Sequence, residues 1–186
     1  MKKQFLILLM AFGLFANAQS TWKSDKAHSN MNFTVSHLVI SEVTGNFNDF
    51  DIEAQADDTF SKPSFTVAIQ AASIDTGNER RDGDLKSDHF FHAEKYPLIS
   101  FKTTSLEKTG ENTFKLGGDL TMHGITKPVT LDGKVNGIIT DQRSQKLKAG
   151  LKFTGTVSRS EFGVGGDMVP VGDEVSITIN TEMAQQ

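Results

Sequence analysis

The sequence predicts an all-β, antiparallel single domain of about eight strands, and three observations carry that prediction. Side chains alternate apolar and polar with period two over most of the chain, the pattern of strands with one buried face. Short stretches of turn chemistry separate the alternating runs. One polar segment of about twenty residues breaks the period, and no second apolar core follows it. A closed barrel and a two-sheet sandwich both satisfy this pattern.

The chain has 186 residues, one domain's worth. Its first eighteen are set apart. Lys2 and Lys3 precede the apolar run "FLILLMAFGLF" (5–15), and Ala16-Asn17-Ala18 follows as a small-residue cleavage site. This reads as a secretory signal peptide over 1–18, cut after Ala18. The run is shorter than the ~20 residues a membrane span requires. Residues 19–186 are the expected mature domain, delivered to a periplasm or outside the cell and not an integral membrane protein.

Cysteine is absent, so the core alone must hold this exported chain together. Of 19 basic residues two leave with the leader, and 17 then face 23 acidic ones. That balance argues against a nucleic-acid partner and against anionic membrane surfaces.

The elements follow in order. In "HSNMNFTVSHLVISEVTGNF" (28–47), Met31, Phe33, Val35, His37 and Val39 share one parity and Asn30, Asn32, Thr34 and Ser36 the other. The same alternation marks Phe65-Val67-Ile69-Ala71, Phe114-Leu116-Gly118-Leu120-Met122, Val129-Leu131-Gly133-Val135, Leu147 to Val157, and Val175-Ile177-Ile179, with shorter candidates at 43–53 and 98–106. Turns are expected at 57–63, 107–112, 140–145 and 162–173. Within the aperiodic stretch "TGNERRDGDLKSDHFFHAEKYP" (76–97), a short helix over Arg80 to Ser87 is predicted, capped by Asn78. Several strands reach nine to eleven residues. Ten residues span about 33 Å, or about 23 Å of height in a tilted barrel, enough for one elongated apolar ligand.

The histidines are the first candidates for chemistry. His28 and His37 are nine apart, so one unbroken strand sends them to opposite faces and they share no metal. His37 reads as a wall residue that lines a lumen if that face is hollow, and His28 as a partner of backbone or solvent. His89 and His92, in "HFFH", would share a face of a helix and suit a metal ion with Asp84, Asp88 and Glu94 nearby, yet no familiar zinc spacing occurs. Two such histidines in a polar loop read as solvated, with Phe90 and Phe91 anchoring the loop. His123, in "TMHGITKP" (121–128), reads as part of a bend set by Gly124 and Pro128. Asp49, Asp51 and Glu53 read as a solvated exterior. No nucleophile elbow, H-E-x-x-H, P-loop or EF-hand loop is present, and no catalytic residue, metal or cofactor is assigned.

In order along the chain, these motifs resemble the YceI-like family of secreted lipid- or polyisoprenoid-binding proteins. The resemblance covers about 22 to 181. It begins with Trp22, His28, Ser29, Phe33 and His37, and continues through Gly45 and Phe47 in "VTGNF". Asp75, Thr76, Arg81, Asp82, Leu85, Phe90, Phe91, Tyr96, Pro97 and Phe101 carry its most specific stretch. His123, Gly124, Thr126 and Pro128 form a second hallmark, and Arg159, Phe162 and Gly163, in "SRSEFGV", a third. Three positions depart: Asp84 stands where the family often has histidine, and His89 and His92 make "HFFH" of its "DFFD". The resemblance implies a lipocalin-like antiparallel barrel with an apolar lumen that captures a long-tailed isoprenoid amphiphile, of quinone or polyprenyl type, without catalysis.

The candidate lumen residues are the apolar parity: Phe33, Val35, His37, Phe65, Val67, Ile69, Phe101, Leu116, Leu120, Leu131, Leu151, Phe153 and Ile177. Gly118, Gly133 and Gly155 share that parity and either widen a channel or relieve crowding. Two rival readings are a secreted metal-dependent enzyme using the His89/His92 region or His123, and a module whose loop 76–97 docks on a protein. Strand edges or that loop are candidate surfaces for a homodimer.

Overall fold

A computed structural model describes residues 19–166 and 170–186; the expected signal peptide, 1–18, lies outside the described residues. Eleven strands form one sheet: β1 (Ser20–Ser24), β2 (Asn30–His37), β3 (Ser41–Phe47), β4 (Phe50–Ala56), β5 (Ser64–Gln70), β6 (Ile74–Asp75), β7 (Leu98–Lys108), β8 (Thr113–Met122), β9 (Ile125–Thr140), β10 (Leu147–Ser158) and β11 (Val171–Gln185). All pairings are antiparallel. Eight strands close a ring in the order β1-β4-β5-β7-β8-β9-β10-β11, which returns to β1. The barrel is therefore the alternative realised, and closure removes most of the sheet's edges.

The ring is eight because two of its staves are bent in the middle. β1 runs into β2 through a 3₁₀ turn, Lys26–His28, whose start is capped by Asp25 accepting from Ala27 N at 3.0 Å. β3 runs into β4 across Asn48 and Asp49. The lower parts, β1 and β4, pair from Ser20↔Ala56 to Lys23↔Glu53, and the upper parts, β2 and β3, pair from Asn32↔Asn46 to His37↔Ser41. The stretch 43–53 is thus two strands around a bend. β1 was not foreseen, because it has too few residues to show a period.

The segment 71–97 fills the upper wall between β3 and β7. It holds β6, which pairs with β3, and a helix α1 (Glu79–Lys86). The expected cap is present: Asn78 accepts from Arg81 N at 3.1 Å. Asp82 then accepts from Thr76 N at 2.9 Å, and Arg81 donates to Thr76 Oγ1 at 2.8 Å and Thr76 O at 2.9 Å. These bonds tie a polar helix to the end of β6 without burying any of its residues fully.

The upper end carries this segment, the β2–β3 turn, the β8–β9 turn at His123-Gly124 and the loop after β10. The lower end carries loops 57–63, 109–112 and 141–146. β2 stops at His37, two residues short of the expected Val39. Leu38 and Val39 have φ of +53° and +63° and belong to the turn. His123 (φ +53°) and Gly124 (φ +77°) form a two-residue hairpin turn between the paired Met122 and Ile125, tighter than the expected bend. Pro128 sits opposite Asp119 on β8, on a stretch of β9 below which pairing with β10 begins only at Asp132. A residue without an N–H is tolerated on such an edge.

Candidate functional site

A cavity of about 150 Å³ lies in the upper half of the barrel. Its walls are Met31, Phe33 and Val35 from β2, Val171, Val175 and Ile177 from β11, and Ile69, Ile99, Leu120 and Met122 from β5, β7 and β8. Segment 71–97 closes one side with Ile74, Leu85, Phe90 and Phe91, and Val164 covers another. Among the described lining residues only Asn32 and Arg159 carry polar side-chain atoms. Phe33 meets Phe47 at 5.9 Å between ring centres, and Phe47 meets Phe91 edge-on at 5.8 Å. These rings bind the long segment to the wall, as expected of "HFFH" for its phenylalanines.

Arg159 is 7 % exposed. Its guanidinium donates to Gly172 O (2.9 Å), Val164 O (2.8 Å), Gly166 O (3.0 Å) and Val171 O (2.9 Å). A buried cation must have its donors satisfied, and here it ties the loop after β10, through Val164 and Gly166, to the start of β11, through Val171 and Gly172. Gly165 (φ +74°) packs against Phe90 and Arg159: a Cβ there would lie 2.8 Å from either side chain.

The lower half is different. Ile52, Phe65, Val67, Phe101, Leu116, Leu131, Phe153 and Ile179 surround a gap of only about 20 Å³. Phe153 meets Phe65 at 5.1 Å and Phe114 at 6.1 Å. Trp22 and Phe60 pack edge-on at 4.6 Å, and Trp22 Nε1 donates to Ala56 O at 3.3 Å. The inward glycines widen no channel. A Cβ would stand 2.3 Å from the Phe101 ring at Gly118, 2.3 Å from the Phe114 ring at Gly133, and 2.5 Å from Leu131 Cδ2 at Gly155. Their missing side chains are space that neighbouring side chains already occupy.

The thirteen candidate lumen residues therefore divide. Phe33, Val35, Ile69, Leu120 and Ile177 line the upper cavity. Phe65, Val67, Phe101, Leu116, Leu131 and Phe153 form the packed lower half. Leu151, 1 % exposed, is solid core, and His37 stands partly exposed at the end of β2, outside the cavity lining. A hollow running the whole barrel height is thus corrected to a hollow in its upper half. Met31, Ile99 and Val175 also line the cavity, on the parity of Phe33, Phe101 and Ile177, so alternation alone points to them. Leu85, Phe90 and Phe91 had no periodic signal at all, because they lie outside the strands.

The histidines are separated by the fold. His28 lies in the 3₁₀ turn, and its Nδ1 bonds Asp25 Oδ2 at 2.9 Å, a side chain in place of the expected backbone or solvent. That hydrogen bond, with the charges of Asp25 and Glu182, raises its pKa above the ordinary 6.5. Asp25, His28 and Glu182 bring ligand-type atoms within 4.8 Å of one another. Lys148 occupies the neighbourhood as a fixed cation, with Nζ 2.7 Å from Glu182 Oε1, and the trio lies on the outer wall away from the cavity. His89 and His92 do not share a helix face, since α1 ends at Lys86. His89 is drawn to Asp84 (3.5 Å) and Asp88 (3.8 Å). His92 turns instead towards Tyr96 (5.8 Å) and His123 (6.4 Å), and His123 Nδ1 bonds Phe162 O at 3.2 Å. Asp49 and Asp51 are exposed and meet Lys26 at 3.3 and 3.2 Å. No described helix is long and apolar enough to cross a membrane.

Comparison with known proteins agrees with this architecture. The model of the YceI-like domain matches residues 22–183. Protein YceI of Escherichia coli is 35% identical over an alignment of 192 residues that covers both chains completely, and Protein YceI of Salmonella newport is 34% identical over the same span. The crystal structure of the YceI protein of Campylobacter jejuni superposes with a TM-score of 0.75 at 31% identity, covering 81% of this chain and 90% of its own. BcnA of Burkholderia cenocepacia shares the fold with a TM-score of 0.77 at 23% identity, over 86% and 98% of the two chains. A polyisoprenoid binding domain from Saccharophagus degradans shares it with a TM-score of 0.68 at 13% identity, over 90% and 99%. With a family model spanning the barrel from β1 to β11 and relatives matched from end to end, the chain belongs to the YceI-like family.

Proposed function

We propose that this protein is a non-catalytic carrier that takes up the hydrocarbon tail of an amphiphilic isoprenoid lipid, of quinone or polyprenyl type, in the upper cavity. The observation that carries the reading is the lining: nineteen described residues surround the cavity and all but Asn32 and Arg159 are apolar. The polyisoprenoid binding of the Saccharophagus degradans domain supports the same chemistry on the same fold. Tail contact is assigned to Phe33, Val35, Ile69, Leu120 and Ile177, joined by Phe90 and Phe91. The leader over 1–18 is removed after Ala18, and the carrier works in the periplasm or beyond it.

The driving force is removal of hydrocarbon from water, about 0.8 kcal/mol per methylene. After binding costs the gain is nearer ~0.3 kcal/mol per heavy atom, so a five-carbon unit contributes about 1.5 kcal/mol and several units reach micromolar affinity. A cavity of about 150 Å³ matches one that accepts benzene and falls short of the ~300–1,000 Å³ of typical ligand pockets. Uptake of a long tail therefore displaces the roof, formed by segment 76–97 and the loop after β10. The packed lower half is the floor.

Native mass spectrometry of protein gently extracted from its host tests this. The expected spectrum shows the polypeptide plus one isoprenoid lipid, and Val35→Trp, which fills the cavity, loses the adduct while staying folded. A bare polypeptide mass, with no uptake of an added prenol or quinone, overturns the reading.

A further inference from the structure

The tip of the β2–β3 hairpin contradicts the usual chemistry of such turns. Ile40 N donates to His37 O at 3.3 Å, closing a turn whose central residues, Leu38 and Val39, both have positive φ. Two left-handed residues in a row favour Asn-Gly, because a Cβ crowds the backbone there and a β-branched side chain suffers most. Leucine and valine at these positions cost the fold stability and gain no burial: Leu38, Val39 and Ile40 are 55%, 94% and 85% exposed. The tip is nevertheless held in place. Leu38 N donates to Pro170 O at 2.8 Å, and Ser41 Oγ donates to His37 O at 3.2 Å.

The tip stands at the end of the barrel that carries most of the exposed apolar residues, with Leu98 and Ile125 on other staves of the same rim. Six large apolar side chains are exposed among the described residues, and five of them, Leu38, Val39, Ile40, Leu98 and Ile125, lie at the upper end. Ile139 alone lies at the lower end. The tip adjoins the cavity directly: β2, which leads into it, contributes Phe33 and Val35 to the lining, and Val171, opposite His37, lines it too. Three exposed apolar residues at one turn fall far short of the ~20–30 residues a side of a stable protein interface, but they suit the boundary between headgroups and acyl chains, which is entered to a depth of only ~5–10 Å. Charge selects the lipid. Glu42, Asp173 and Glu174 flank the tip and are all exposed, so an anionic surface repels it and an electrically neutral one does not.

We propose that Leu38, Val39 and Ile40 are a membrane-docking wedge. They insert into the surface of an electrically neutral bilayer and hold the roofed upper end of the barrel against it, so that a tail passes between membrane and cavity without crossing water. Insertion itself stands on exposure, strain and charge; its use in tail transfer rests on the carrier reading.

The chain has no cysteine, so Val39→Cys takes a single environment-sensitive dye, and Ser144→Cys, on the β9–β10 loop at the lower end, serves as control. On titration with phosphatidylcholine vesicles the dye at 39 shifts to the blue and the dye at 144 does not. Flotation of unlabelled protein with the same vesicles gives a second readout. Leu38→Asn/Val39→Gly installs the residues the turn favours, so Tm rises while the bound fraction falls roughly tenfold. No blue shift at 39, equal shifts at both sites, or undiminished flotation of the double variant overturns the proposal. So does a blue shift that grows with protein concentration without vesicles, which marks the tip as a contact between copies. Neither readout needs a lipid in the cavity, so failure here leaves the carrier reading standing, and an empty cavity in native mass spectrometry leaves the wedge standing.

Discussion

The two halves of this barrel share staves and alternation yet do opposite things with their interiors. Below, inward Phe65, Phe101, Phe114 and Phe153 interlock, with Gly118 and Gly133 opposite to receive their rings. Above, the inward residues of the same strands are mostly Val, Ile, Leu and Met, and segment 71–97 completes the wall with Ile74, Leu85, Phe90 and Phe91. A barrel of eight strands is just wide enough to be filled, so the side chains that face one another at each level decide between plug and hollow. The difference teaches that one set of alternating strands can carry a packed half and a hollow half within a single barrel.

The sharpest way to break this comparison is to make the same truncation in each half. Phe153→Ala should lower unfolding free energy by about 3–5 kcal/mol, the cost of a buried aromatic cavity. Phe33→Ala, at a partly exposed ring already facing open space, should cost about 2 kcal/mol. Urea titration of both variants measures the difference, and equal losses would mean the halves are packed alike. Adding volume gives the next largest effect. Gly133→Ala drives a Cβ into the Phe114 ring, which has nowhere to go, and should cost about 1–3 kcal/mol. At Gly45 a Cβ would lie 2.4 Å from Phe33 Cζ, but that ring borders the cavity and can swing into it. Thr76 Cγ2, 2.9 Å from the same position, cannot move as freely, so Gly45→Ala should lower Tm, but by less than Gly133→Ala.

A smaller effect tests the floor through pH. Asp57 organises the loop that seats Phe60, accepting from Thr59 N (2.9 Å), Thr59 Oγ1 (2.8 Å), Ser61 N (3.0 Å) and Ser61 Oγ. Burial opposes its ionisation, but the bonds from Ser61 and Thr59 outweigh it and hold the carboxyl well below the ordinary 3.8. A depressed folded-state value means the contribution is complete above pH 3.8 and is lost as pH falls below it. Asp57→Ala should cost about 1–2 kcal/mol at neutral pH, and the gap from wild type should narrow below pH 3.8 in thermal melts. The least energetic test concerns the outer wall. The His28 imidazole should titrate above 6.5 by NMR, and Asp25→Asn should bring it back towards 6.5 with little change in stability, since the pair is exposed.

Much of the fold was legible because each strand reports its buried face independently of the others. The Asn78 cap, the hairpin loops and the β strands from Phe65 onward could each be read from a few adjacent residues. The candidate site was only half legible. Phe33 and Phe153 show the same inward parity, but one borders a cavity and the other fills a plug. That distinction depends on what stands across the barrel. Leu85, Phe90 and Phe91 enter the lining from a segment with no period to read, and Val39, counted on the strand by parity, sits in a turn whose sequence gives no turn signal.

Local sequence determined most of the strands, their inward faces and the absence of a disulfide to hold them. Tertiary structure alone decided where the lumen is empty. Volume inside a barrel is a property of residues that face one another from strands far apart in the chain, such as Phe65, Phe114 and Phe153, and alternation along any one strand carries no information about its opposite wall.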